Sequence, residues 1–381
     1  MACEAAALWR VTLADGTVLA ARVLVTAWGQ LNRPAMPEIP GLASFAGAQF
    51  HSARWRHDVP LAGKRVGCIG SAASAVQLVP PVAAEAAHLT LFQRSPNWVV
   101  PRMDRPYTPE EVATFQADPA RVQALRDGMY TEREGRVGRT RLDNSVADET
   151  RRVALAHLAA QVPDPALRAR LTPDYAIGCR RILVSDDFYP ALTRDNVELV
   201  TDPILRAEPE GIVTADGRLH RFDVLIFATG FETHSFLGLA DVTGRDGVSL
   251  RASWREGAMA YAGLTVAGFP NMFMLYGPNT NLGHSSIIAM LEAQYRYIRQ
   301  ALDWVEGGPR RSLQVRETAM AGFNETLQRE LLGSAWTANC NSWYKTASGR
   351  IVNNWSGTVE AYRQQVARLR LEDYDLRDGA R

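Results

Sequence analysis

With 381 residues, 46% of them hydrophobic and 22% charged, the chain can build two or three packed domains, which excludes disordered, collagen-like and fibrous classes. Forty-two Lys and Arg against 41 Asp and Glu leave a net charge of +1, so no overall field draws it to nucleic acid or an anionic membrane, and any anion site must be local. Cys3, Cys68, Cys179 and Cys340 are widely spaced, with no C-x-x-C pair and no histidine at ligand spacing. That spacing argues against a zinc site and a disulfide framework, and for a reducing cytoplasm. No apolar run approaches the roughly 18 residues of a membrane span, and residues 1–30 lack the apolar block of a signal peptide.

In chain order, the first pattern is VTLADGTVLAARVLVTAWG at residues 11–29. Asp15-Gly16 between alternating runs predicts a hairpin, followed by an apolar strand from Val23 to Thr26 that ends in small residues. The same layout returns as IVTADGRLHRFDVLIFATG at residues 212–230, with Asp216-Gly217, the strand Val224 to Phe227 and then Ala228-Thr229-Gly230. Every position is offset by 201, as between Asp15 and Asp216. Ahead of the second copy lies a βαβ unit: the strand from Arg65, the turn Gly70-Ser71-Ala72-Ala73-Ser74-Ala75, a helix to about Ala84, and the strand Leu89 to Phe92. Ahead of the first copy there is no room for such a unit, so the first domain is expected to lack its front half.

The turn at Gly70 occupies the place of G-x-G-x-x-G/A. Gly70 permits the tight bend, Ala75 permits close helix packing, and the helix N-terminus offers unpaired N–H groups to a pyrophosphate. Ala72 stands where the second glycine belongs, and its methyl crowds the phosphate's approach. At the end of the following strand Arg94 and Ser95 replace the carboxylate that would hold a ribose 2'-hydroxyl, a change that suits a 2'-phosphate and hence NADPH.

Residues 104–172 predict a helical insertion in this nucleotide-binding domain, entered at Thr-Pro-Glu-Glu, with TEREGRVGRTRLDN as a solvated or mobile connection. Residues 285–305 carry apolar positions at three- and four-residue steps and predict the most regular helix of the chain. The polar tail LRLEDYDLRDGAR is expected to fray.

The segment FAGAQFHSARW, residues 45–55, places Phe45, Gly47, His51 and Trp55 in the pattern F-x-G-x-x-x-H-x-x-x-W. This resembles the fingerprint of Baeyer-Villiger monooxygenases within the class B flavoprotein monooxygenases. QRSPNWVVPR, DYAIGCRRI, FATGF, GFPNMFMLYGPNTNLGH and CNSWYK resemble further blocks in family order, so the likeness runs over essentially the whole chain. There are two departures: Arg56 follows Trp55 where the stricter pattern has Pro or Asp, and Ala72 replaces a glycine.

The resemblance implies an α/β flavoprotein with two Rossmann-like dinucleotide-binding domains. Residues 1–62 would be the remnant of an FAD domain plus the linker carrying the fingerprint, 63–230 the NADP domain with its insertion, and 231–381 the C-terminal part of the FAD domain. It implies FAD and NADPH as cofactors, and O2 with a small ketone or soft nucleophile as substrates. A ketone would be converted to an ester or lactone through a peroxyflavin. Arg181 would stabilise negative charge on the reacting centre, Arg180 would hold the 2'-phosphate, and Trp343 would meet the nicotinamide end of NADP. Asn279 to His284 and Ile287 would lie against the flavin, while His51, Ala228, Thr229 and Gly230 would be architectural. A nitrogen- or sulfur-oxidising monooxygenase is the alternative within enzymes. A non-catalytic NADP-binding fragment of a longer flavoprotein is the alternative outside them.

Overall fold

The computed structural model describes every residue except 1, 4–6, 235, 239, 341 and 379–381. The chain separates into two compact units: one of residues 1–33, 107–144 and 233–381, the other of residues 34–106 and 145–232.

In the second unit five parallel strands form a sheet in the order Val197–Val200, His88–Phe92, Arg65–Ile69, Val224–Phe227 and Ala48–His51. The helix Ala73–Glu85 crosses from the strand Arg65–Ile69 to the strand His88–Phe92, the βαβ unit that the sequence predicts. Val224 to Phe227 is apolar throughout because both faces are covered. Val224 and Ile226 join the core that holds Val66, Cys68 and Leu89, whereas Leu225 and Phe227 join the one that holds Phe45, Ile212 and Phe222. The Asp216-Gly217 turn joins Gly211–Thr214 to Leu219–Arg221, with Gly217 at φ +83°.

In the first unit the equivalent hairpin joins Leu8–Thr12 to Val18–Ala21 through Gly16 at φ +84°. The Thr17 N–H donates to Asp15, which lowers the pKa of that carboxyl. The strand Leu24–Thr26 follows and pairs in parallel with Met272–Met274. Both copies of the repeat therefore fold as hairpin, then parallel strand. The predicted regular helix is Ile287–Glu306, which buries Ala289, Met290, Ala293, Tyr297, Ile298, Ala301 and Val305 along one stripe.

Four expectations change. The predicted insertion does not stay together: residues 107–144 group with the first unit and 145–172 with the second. Pro109–Ala117 opens with the capping box of Thr108 and Glu111, and the run TEREGRVGRTRLDN, expected as a loose connection, continues the helix Pro119–Gly135 into a short turn at Arg136–Thr140. The tail does not fray at Tyr374–Arg377, which pairs antiparallel with Ser312–Val315 and buries Tyr374; residues 379–381 lie outside the described residues. Cys179 and Cys340 are each disulfide-bonded, since spacing along a chain carries no information on which sulfurs meet. Cys68 is a buried free thiol, pushed up to about 12 by desolvation. No described helix is long and apolar enough to cross a membrane, and no described cluster of His, Cys, Asp and Glu could hold a metal.

Candidate functional site

The second unit gathers most of the predicted nucleotide residues. Gly70 sits at φ +104°, and a methyl there would lie 2.5 Å from the Ala228 carbonyl oxygen, so the strand end at Ala228 permits only glycine. Ala72 is the N-cap of the next helix at φ −86°, a conformation any residue adopts, and its side chain caps nothing. No acidic residue stands in the first turn, which leaves the N–H groups after Ala72 open to an anion.

Around this turn Ser71 Oγ donates to the Ser95 carbonyl at 3.3 Å, and Asn97 Nδ2 donates to the Ser71 carbonyl at 3.1 Å. Arg180 reaches the same point: its Nη1 donates to Ser95 Oγ at 2.5 Å while its guanidinium lies 4.5 Å from the centre of the Tyr175 ring. Tyr175 is held in turn by its hydroxyl on the Pro96 carbonyl and by Trp98 Nε1 on its own carbonyl. A cation and a hydroxyl thus meet beside a glycine-requiring turn and a helix N-terminus, the chemistry of a phosphate cradle. Arg94 is exposed at the end of its strand, and Arg181 is exposed too, with no hydrogen bond or ion pair among the described residues. Arg180 and Arg181, neighbours in sequence, therefore differ in their partners. Tyr175 and Asn97 were assigned no role from the sequence, although both lie inside the blocks DYAIGCRRI and QRSPNWVVPR that carry the resemblance.

The fingerprint residues are built into the second unit's framework. His51 Nδ1 accepts from the Ala53 N–H at 3.1 Å, so the proton sits on Nε2, which donates to the Gly230 carbonyl at 3.0 Å. Thr229 Oγ1 donates to Ala35, and Ala35 N–H donates to Gly230, which ties the chain entering the unit to the Ala228-Thr229-Gly230 strand end. Phe50 and Trp55 meet edge to face at 5.1 Å. Phe45 is buried, and a methyl on Gly47 would strike both its ring and the Asp223 carbonyl. Arg56, the departure from the pattern, points to solvent and pairs with Asp58.

Burial lowers the pKa of His51 below that of a free histidine. The unfolded chain, with an ordinary value of about 6.5, takes up the proton first. This contribution to stability is present above about pH 6.5 and is lost as pH falls through the lower folded value. We expect the urea midpoint to fall between pH 6.5 and 5, and His51→Gln to flatten that slope while lowering stability at pH 8.

In the first unit the predicted residues Asn279 and Ile287 lie on a turn stitched to residues 351–355. Asn279 is buried, and its Nδ2 donates to the carbonyls of Ile351 and Asn354. Ile287, half-buried, opens its helix. A chain of hydrogen bonds runs from Gln30 to Tyr276, Asn281 and Asn354. Within this network Gln30 Oε1, Asn279 Oδ1, Asn353 Oδ1 and Asn354 Nδ2 are buried without a partner. Each such atom costs about 1–3 kcal/mol unless a bound group or water satisfies it. Three acceptors and a donor of these amides therefore stay unpartnered inside the packed turn. The sequence reading missed Gln30, Asn353 and Asn354; the polar pair between Val352 and Trp355 was the available signal. Trp343, half-buried and 4.3 Å from Tyr344, is fixed through its carbonyl by His234 and Asn353.

A family model described as flavin-binding monooxygenase-like matches residues 12–120. A Baeyer-Villiger monooxygenase of Streptomyces coelicolor is 40% identical over 370 residues, which cover 97% of this chain and 71% of that protein. Among solved structures, an oxidized steroid monooxygenase bound to NADP is similar with a TM-score of 0.84 at 29% identity, over 99% of this chain and 79% of that one. An OTEMO complex with FAD and NADP is similar with a TM-score of 0.85 at 27% identity, over 98% and 79%.

Proposed function

Since this chain belongs to the Baeyer-Villiger monooxygenases of the flavin-binding monooxygenase-like family, and is thereby a flavin-dependent monooxygenase, we propose that it oxidises a ketone to an ester or lactone. Ketone, O2, NADPH and a proton would give ester, water and NADP+. FAD, when bound, accepts hydride from NADPH and activates O2.

The observation that carries the reading is Arg180 on Ser95 beside the Gly70 turn. It supports a site for NADP in which the N–H groups after Ala72 take the pyrophosphate and Arg180, with Ser95 and the exposed Arg94, takes the 2'-phosphate. Arg181, exposed and uncommitted, supports a role in stabilising negative charge that develops on the reacting centre, because a guanidinium keeps its proton and its charge. The unpartnered amides near Asn279 support a polar group bound beside this turn, which we assign to the flavin, with Ile287 packing against it and Trp343 meeting the nicotinamide end of NADP. The proposed use of NADPH is what supports a cytoplasmic location, since the disulfide-bonded Cys179 and Cys340 withdraw the argument from cysteine spacing.

Arg56 keeps the heteroatom-oxidising reading in play, since it departs from the ketone-oxidising pattern. Turnover of the purified chain with FAD and NADPH on paired ketone and sulfide substrates decides between the two: ester formation supports the ketone reading, and sulfoxide alone replaces it. The same assay should run far more slowly with NADH. An anaerobic spectrum in which added FAD neither binds nor bleaches with NADPH would leave a nucleotide-binding module.

A further inference from the structure

The helix Pro119–Gly135 buries no residue along its 17 positions, yet near its end the Glu134 side chain is only 14% exposed. Its Oε1 lies 3.4 Å from Nε2 of His284, whose side chain is 2% exposed, and neither of these two atoms has any other polar partner. The other oxygen, Oε2, accepts from the Glu360 N–H at 3.1 Å and from the Tyr130 hydroxyl at 3.4 Å. Arg363 lies over the ring of Tyr130, the same residue whose hydroxyl meets Oε2, at 4.9 Å.

Oε2 alone suffices to serve the start of the helix Val359–Gln365, which Thr358 already caps. Oε1 aimed at His284 adds nothing to that task. What it reaches is the turn from Asn279 to Ile287, pressed so closely on the neighbouring segment that a methyl on Gly283 would lie 2.9 Å from Thr140 Cγ2. We propose that Glu134 and His284 are positioning residues: through their contact the exposed helix Pro119–Gly135 sets the conformation of the turn that carries Asn279 and Ile287. A carboxyl oxygen held 3.4 Å from a buried imidazole nitrogen is a directional contact, and a shift of that turn moves the unpartnered amides around Asn279.

The test is hydrogen exchange on the full chain without cofactor, which does not depend on the flavin reading. Glu134→Gln and His284→Gln should each speed exchange of amides within residues 279–287 by about fivefold or more, with Val224–Phe227 unchanged. The double variant should show no more than the larger single effect, because both changes remove one contact. If His284→Gln fails to fold, Glu134→Gln decides alone, since glutamine retains an acceptor for the Glu360 N–H. Unchanged exchange at 279–287, acceleration spread evenly over the first unit, or additive effects would overturn the proposal. With FAD and NADPH bound, the variants should also release more hydrogen peroxide per NADPH oxidised at an unaltered KM for NADPH. A failure of that second readout alone counts against the flavin assignment of the turn and leaves the positioning contact standing.

Discussion

Arg181→Ala should lose about a hundred- to a thousandfold in ester formation, the scale seen when one preorganised charge stabiliser is removed, while NADPH affinity stays within about twofold. The two effects separate because the two arginines do. Arg180 is committed to Ser95 and Tyr175 beside the glycine turn, whereas Arg181 is exposed and engages none of the described residues. Stability should move by no more than about 0.5 kcal/mol, as for other exposed positions. Single-turnover product analysis beside a direct NADPH titration reads both quantities. Normal ester turnover in the variant would remove Arg181 from its role, and a large loss of NADPH affinity would place it with Arg180.

Gly70→Ala should have the largest effect on folding. A β-carbon at φ +104° carries backbone strain of about 1–3 kcal/mol. The added methyl must also displace the Ala228 carbonyl, 2.5 Å away, whose strand lies between two others in the five-stranded sheet. We expect a loss of about 3 kcal/mol or more, read as a lower denaturant midpoint at constant slope, together with weakened NADPH binding. A variant of native stability would show that the strand end can shift, and that the turn is not fixed by this contact.

What could be read in advance was what local chemistry dictates. Asp15-Gly16 and Asp216-Gly217 announced their hairpins because few residues tolerate positive φ, and the apolar run at Val224 announced a strand covered on both faces. Gly70, Ser71, Ser95 and Arg180 were legible from motif and resemblance, and the structure brings them together. Asn353, Asn354 and Gln30 escaped because buried amides follow no period; only their partners, far away in sequence, show that they are a set. Residues 107–144 escaped for a related reason. Their helices have clear caps but bury nothing, so no apolar stripe pointed to the unit they join. Tyr374–Arg377 looked like a tail because its pairing partner, Ser312–Val315, lies some sixty residues earlier.

The repeat's two core strands also differ in their company. Val224–Phe227 has a neighbour on each side, while among the described residues Leu24–Thr26 is paired only with Met272–Met274. Val25 within that strand is 42% exposed and Trp28 just beyond it 38%. An uncovered apolar strand margin is a template on which any extended polypeptide can add hydrogen bonds. For anyone preparing this chain by itself, the hazard that follows is precipitation through that margin as concentration rises, and a lysine at position 25 is the simplest guard against it.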